Sequence, residues 1–207
     1  MWTLALETTT ALGSLALLDN AVAVEEEALE SRHYSASIFQ VTELVLERQG
    51  LRLSEVHLFA VADGPGSFTG VRMGLTAVKG WVEVLGTPAV PVSTLRAAAE
   101  QETGPRVAAL DASRGEVYYG VYPEGEEGLE TLEAFRLRLA RLGRPGFTPH
   151  AALRELVPEL TLCGPRLAAA VGRLGLEEFR AGRALDALRL DARYLRRSDA
   201  ELYAKAL

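Results

Sequence analysis

The stretch Val56-His57-Leu58-Phe59-Ala60-Val61-Ala62-Asp63-Gly64-Pro65-Gly66-Ser67-Phe68-Thr69-Gly70 decides the fold. Residues 56–62 read as a buried strand. The glycines Gly64, Gly66, Gly70 and Gly74 then mark a turn that opens a helix running to about Leu85. A short strand at 89–92 and a helix from Ser93 follow. Upstream, residues 3–7 and 14–18 are apolar runs on either side of a turn at 8–13, and 22–26 alternates as a strand does. Between these parts, 31–49 places Tyr34, Ile38, Val41 and Val45 on one helical stripe, ended by Gly50. The first hundred residues therefore read βββαβαβα.

The opening recurs after Gly104-Pro105. Residues 107–110 form an apolar run ending in Asp111, a turn passes through Gly115, and 117–122 forms a second strand. This parallels the first strand ending in Glu7, the turn through Gly13 and the strand from Ser14. The reading is an internal duplication with a boundary near Gly104: residues 1–104 as one lobe, 105–207 as a reduced repeat. Residues 123–128 and 142–149 read as loops, and 161–207 as one strand followed by Ala/Leu/Arg-rich helices.

Composition narrows the function. The chain has 207 residues, 48% of them hydrophobic, enough for one or two domains with a sizeable core. The lone cysteine, Cys163, allows neither an intrachain disulfide nor a thiolate zinc cluster, and suits a reducing compartment. No basic leader opens the sequence and no apolar run approaches the ~18 residues of a membrane span, so the expectation is cytoplasmic. A net charge of -6 makes the chain a poor binder of RNA on its own, with the arginines of 136–144 the first candidates for a local basic patch. The only side-chain amides are Asn20, Gln40, Gln49 and Gln101, a scarcity that points to a heat-tolerant source.

The glycine cluster admits two readings. Backbone amides at a helix start cradle phosphate, yet no Lys-Ser or Lys-Thr follows Gly70, and Thr69 stands at the third glycine of a GxGxxG. The other reading is close packing of the turn against a neighbour. Glu7, Thr8, Thr9 and Thr10, facing Asp111, would suit a nucleotide clamp of the sugar-kinase or actin kind, but no glycine offers bare amides at 8–10. The histidines His33, His57 and His150 never fall at i, i+3 or i, i+4, and no serine lies in GxSxG. No metal or cofactor is expected.

On the helix after the glycines, Arg72, Thr76, Lys79 and Glu83 form a narrow polar stripe, while apolar or glycine positions cover roughly 220°. A helix covering only its own core needs about 100°. Val71, Leu75, Val78, Val82 and Leu85 suit the internal sheet. The half carrying Met73, Ala77, Gly80, Trp81 and Val84 is assigned to a partner protein.

Gly64-Pro65-Gly66-Ser67-Phe68-Thr69-Gly70-Val71-Arg72 closely resembles the GPGSFTG(V/L)R signature of the TsaB (YeaZ) family. The opening strand with Glu7-Thr8-Thr9-Thr10, the run Val90-Pro91-Val92-Ser93-Thr94-Leu95, the segment Asp111-Ala112-Ser113-Arg114-Gly115-Glu116-Val117-Tyr118 and the closing Tyr194-Leu195-Arg196 agree in order. The resemblance implies a duplicated actin-, sugar-kinase- and Hsp70-like (ribonuclease H-like) α/β fold of two lobes, mixed sheets flanked by helices. It also implies a non-catalytic accessory subunit in tRNA threonylcarbamoyladenosine synthesis. The larger homologue TsaD, which carries the catalytic metal, would be its partner, a TsaE-type ATPase would join the complex, and the free chain, monomer or homodimer, could pair with itself through the same helices. The implied seam is Tyr34, Ile38, Phe39, Thr42, Leu46, Gly70, Met73, Ala77, Gly80, Trp81 and Val84. The alternatives are an independent ATP-using transferase or kinase and a glycoprotease-like peptidase. Tyr34-Ser35 and Ile38-Phe39-Gln40 depart from the family's His-Ser and Leu-Leu-Pro, and Glu7 is more usual in TsaD. Residues 93–100 hold no histidine where TsaD has its His-x-x-x-His metal helix.

Overall fold

The computed structural model describes residues 1–30, 34–100 and 102–196. Strands β1 (Trp2–Glu7), β2 (Ser14–Asp19) and β3 (Val22–Ala28) form an antiparallel meander. Helix α1 (Tyr34–Arg48), strand β4 (Leu58–Gly64), helix α2 (Phe68–Leu85), strand β5 (Ala89–Ser93) and helix α3 (Thr94–Glu100) complete the first repeat. The second repeat runs β6 (Arg106–Asp111), β7 (Glu116–Tyr122), β8 (Glu126–Thr131), α4 (Leu132–Leu142), β9 (Gly146–Thr148), α5 (Ala151–Leu156), β10 (Leu160–Leu162) and α6 (Ala168–Arg180).

The first sheet is ordered β3-β2-β1-β4-β5, and the second, read from its other edge, β8-β7-β6-β9-β10. Each pairing keeps its sense: β1 and β6 lie antiparallel to β2 and β7, and parallel to β4 and β9. The fold is thus a duplicated two-lobe α/β architecture with mixed sheets flanked by helices. The sheets divide between Ser93 and Arg106, but the last helix of each repeat crosses over. Helix α6 lies on β1, β2, β4 and β5, while α3 reaches β6 and β7. One core, including Ala5, Ala16, Ala60, Ala98, Ala108, Leu110 and Val171, therefore runs through both repeats.

Residue size sets this layering. On β1, β2 and β4 the face toward α6 carries Ala5, Ala16, Ala60 and Ala62, while Leu4, Leu6, Leu15, Leu17, Phe59 and Val61 face α1 and α2. Small side chains let α6 approach closely: a Cβ added at Gly172 or Gly175 would sit 2.3 Å from Leu18 or 2.6 Å from Ala60. Packing without voids requires small residues wherever backbones come that near.

Several expectations need correction. Residues 126–131 form a strand where a loop was expected to reach 128, because an acidic edge strand carries no apolar alternation; its Glu126 and Glu130 pair with Arg138. Gly146–Thr148 is a strand inside the other expected loop. The tail holds one helix among the described residues, not several. Gly182 ends it at φ +77°, Arg183 N donates back to Glu178 O at 3.0 Å, and beyond it Leu185 exchanges two hydrogen bonds with Ala89 at the edge of β5. Residues 31–33, with His33 and the expected start of the first helix, lie outside the described residues, as do 197–207.

Candidate functional site

Three loops meet at the cleft between the repeats. In the first, Glu7 is fully buried. Its Oε1 accepts from Thr9 N, from Thr9 Oγ1 at 2.6 Å and from Thr10 N at 2.9 Å, and its Oε2 from Thr10 Oγ1 at 2.7 Å. Burial pushes its carboxyl above the usual range, and those bonds pull back only in part. The turn amides that would meet a phosphate thus already hold the chain's own carboxylate. Glu7 and Asp111 do not face one another as the clamp reading expected, since Glu7 turns inward.

The signature loop closes over this turn. Ser67 N donates to Thr9 O at 2.8 Å, Thr8 Oγ1 donates to Gly70 O at 2.7 Å, and the Ser67 hydroxyl caps α2 by accepting from Gly70 N at 3.2 Å. A Cβ at Gly70 would lie 1.9 Å from Thr8 O, and one at Gly66 2.4 Å from Thr9 O. The glycines serve close packing, the second of the two readings, and the Ser67 and Gly70 amides are already bonded within the chain. Thr69 is exposed on the outer side of this loop, and Pro65 is buried beneath it.

At the third loop Asp111 is exposed and accepts from Ser113 N at 2.8 Å. Ser113, Arg114 and Gly115 turn the chain at φ 60°, 56° and 74°. Asp111 N donates to His150 Nδ1 at 2.9 Å, which leaves the imidazole proton on Nε2, a buried atom without a partner; burial lowers the His150 pKa. The cleft of about 1140 Å³ is lined by Thr9, Ser67, Phe68, Asp111, His150 and Tyr194, among others. Among the described residues no group of three His, Cys, Asp or Glu is placed to hold a metal ion.

Residues 185–196 strap the loops together, a contact that sequence reading missed although the closing Tyr-Leu-Arg was its signal. Arg193 N donates to Asp63 O at 2.7 Å, and its guanidinium pairs with Asp63 and Glu127, each at 3.4 Å. Burial holds Asp63 up at about 6 against the pull of Arg193. The Tyr194 ring packs on Phe68 with centroids 5.4 Å apart, and Arg196 pairs with Glu116.

The outer helices carry the expected seam, and the structure divides it. Tyr34, Ile38, Thr42, Leu46, Gly70, Ala77 and Trp81 are buried in the chain's own fold. Tyr34 donates its hydroxyl proton to Thr10 O at 3.2 Å, and Trp81 reaches Phe59 of β4 at 5.4 Å between centroids. Assigning these to a partner is corrected: a tryptophan on the flank of α2 is long enough to enter the core. Phe39 (54% exposed), Gly80 and Val84 (82%) remain on the surface, with Met73 half-buried. Phe39 stands edge-on to Trp81 at 6.2 Å. Val71, Leu75, Val78 and Val82 are buried, on the sheet side as expected.

Residues 25–142, more than half of the chain, match the family model described as TsaD, tRNA N6-adenosine threonylcarbamoyltransferase. The chain is 34% identical over 131 residues to the tRNA threonylcarbamoyladenosine biosynthesis protein TsaB of Escherichia coli, a match covering 61% of this chain and 57% of that one. The chain spans about half the length of the curated relatives it matches. Among solved structures, a protein of Pseudomonas aeruginosa described as similar to peptidase YEAZ superposes with a TM-score of 0.76 at 28% identity, covering 94% of this chain and 99% of that one. YeaZ from Pseudomonas aeruginosa does so at 0.74 and 26%, covering 94% and 100%.

Proposed function

The chain belongs to the TsaB (YeaZ) family, within the group that the TsaD model describes, and on that footing we propose a non-catalytic subunit of tRNA threonylcarbamoyladenosine biosynthesis that docks a TsaD-type transferase through α1 and α2. The observation that carries the docking reading is the exposed apolar surface of Phe39, Met73, Gly80 and Val84. Apolar side chains grouped on one outer face mark a contact with another protein. In this reading a TsaE-type ATPase joins the complex, and away from TsaD a second copy of the chain competes for the same face.

The non-catalytic part is supported by the first turn, whose Thr9 and Thr10 amides are spent on Glu7 and whose outer side is covered by the signature loop. Weak binding of tRNA is supported by α4, where Arg136 pairs with Glu159 and Arg138 with Glu126 and Glu130; beyond it Arg144 pairs with Glu124. Cations already neutralised release few counterions from nucleic acid. Among the described residues no helix is long and apolar enough to cross a membrane.

The test is Val84→Glu. A carboxylate desolvated without a partner costs several kcal/mol, so affinity for the TsaD homologue should fall on the order of a hundredfold while melting stays near native. Unchanged pairing would overturn the reading.

A further inference from the structure

Arg72, on the exposed side of α2, has no counter-ion among the described residues. Its guanidinium lies 3.8 Å over the centre of the Phe68 ring, and its Nε donates to Tyr194 Oη at 3.1 Å. Nearby arginines are neutralised: Arg193 by Asp63 and Glu127, Arg196 by Glu116. The two terminal nitrogens of Arg72 bond to no described residue. That edge is one of those with which arginine grips a carboxylate in two parallel bonds, and it is the one left open here. A side chain fixed by a ring below and a phenol at Nε has already lost most of the freedom that binding would take from it. The first turn of α2 contains no acidic residue, so the helix dipole adds positive potential.

Position selects the occupant. Arg72 adjoins Met73 on the helix that presents Gly80 and Val84, and Phe68 and Tyr194 beside it are each close to half exposed. A cation braced by aromatic rings at the border of an apolar patch fits the rim of a protein interface. A nucleic acid would need several cations, whereas the polar stripe of α2 also carries Glu83 and the whole chain is at -6.

We infer that Arg72 is the charged specificity contact of the docking face, taking an aspartate or glutamate side chain of the protein seated on Phe39, Met73, Gly80 and Val84 in a bidentate pair. The inference rests on the docking reading given under the proposed function, and adds the partner's chemistry to it. Phe68 and Tyr194 act as positioning residues, which gives the strap a purpose beyond covering the loop.

The experiment measures melting and affinity for the TsaD homologue, at low and high salt, for Arg72→Lys, Arg72→Glu and Val84→Glu in the full chain, with tRNA binding alongside. Arg72→Lys keeps the charge but loses the fork, and should weaken pairing about tenfold; Arg72→Glu should weaken it about a hundredfold. Melting should stay near native for both, and a compensating acid-to-arginine change on the partner should rescue Arg72→Glu. If Val84→Glu abolishes pairing while both Arg72 variants pair normally, the docking face stands and the Arg72 contact falls. If all three pair normally, the docking reading itself falls. Arg72 variants that lose tRNA binding and keep the partner would assign the guanidinium to phosphate and overturn the inference.

Discussion

The two repeats share a strand order and differ in what they built on it. In the first, α2 has eighteen residues and β4 seven; their counterparts α5 and β9 have six and three. In the first, the acid at the end of the leading strand is buried under four hydrogen bonds; in the second, Asp111 stays at the surface and closes its own turn with one. One copy of the hairpin has become a packing joint, while the other keeps an open turn facing the cleft. The added length of the first repeat lies in helices whose outer side is exposed and apolar. Duplicated topology therefore does not entail duplicated chemistry, and the longer repeat is where the docking proposal puts the partner.

The sharpest way to break this contrast is at the two acids. Glu7→Ala leaves the Thr9 and Thr10 amides buried without acceptors and should cost about 4 kcal/mol in denaturant unfolding, whereas Asp111→Ala should cost about 1 kcal/mol or less. Equal losses would mean that the hairpins are equivalent. The turn glycines give the next pair. Gly70→Ala puts a methyl group against Thr8 O and should cost about 3 kcal/mol or more. Gly115→Ala meets no atom within 4 Å and faces only its φ of +74°, a cost of about 1–2 kcal/mol.

A pH measurement sharpens the comparison further. Asp63 is the penultimate residue of β4, while its counterpart β9 runs out into Pro149 and His150, with no acid there. Because burial holds Asp63 at about 6 against 3.8 unfolded, the folded chain binds the extra proton in that interval. Its contribution to stability is full below about pH 4 and is lost as pH rises through about 6. The stability of the native chain relative to Asp63→Asn should therefore fall across that window, by at most about 3 kcal/mol, and run parallel above it. A difference independent of pH would show that Asp63 titrates normally.

Much of the first repeat was legible because each device there has a local signature: apolar runs in β1 and β4, alternation in β3, a helical stripe in α1, glycines where α2 begins. The duplication showed through the acid and glycine that both hairpins retain. What sequence could not show depended on distance along the chain. The exchange of α3 and α6 between sheets is written in Ala97, Ala98, Gly172 and Gly175, residues that mark closeness without naming the neighbour. Strand β8 was hidden by its glutamates, whose partners lie on α4. On α2 the apolar surplus was real, but periodicity does not report side-chain length, and Trp81 was assigned outward when it reaches Phe59. The site at Arg72 required the strap, because Tyr194 lies 122 residues away.

The central claim is that the outer face of the first repeat is the docking surface and that of the second is not. It is tested most directly by titrating the TsaD homologue against Val84→Glu on α2 and Leu137→Glu on α4, where Leu137 is 69% exposed and gives a matched control. Both variants should melt near the native temperature. Val84→Glu should lose on the order of a hundredfold in affinity and Leu137→Glu should bind as the native chain does. Loss of binding in Leu137→Glu with native binding in Val84→Glu would contradict the account and place the partner on the second repeat.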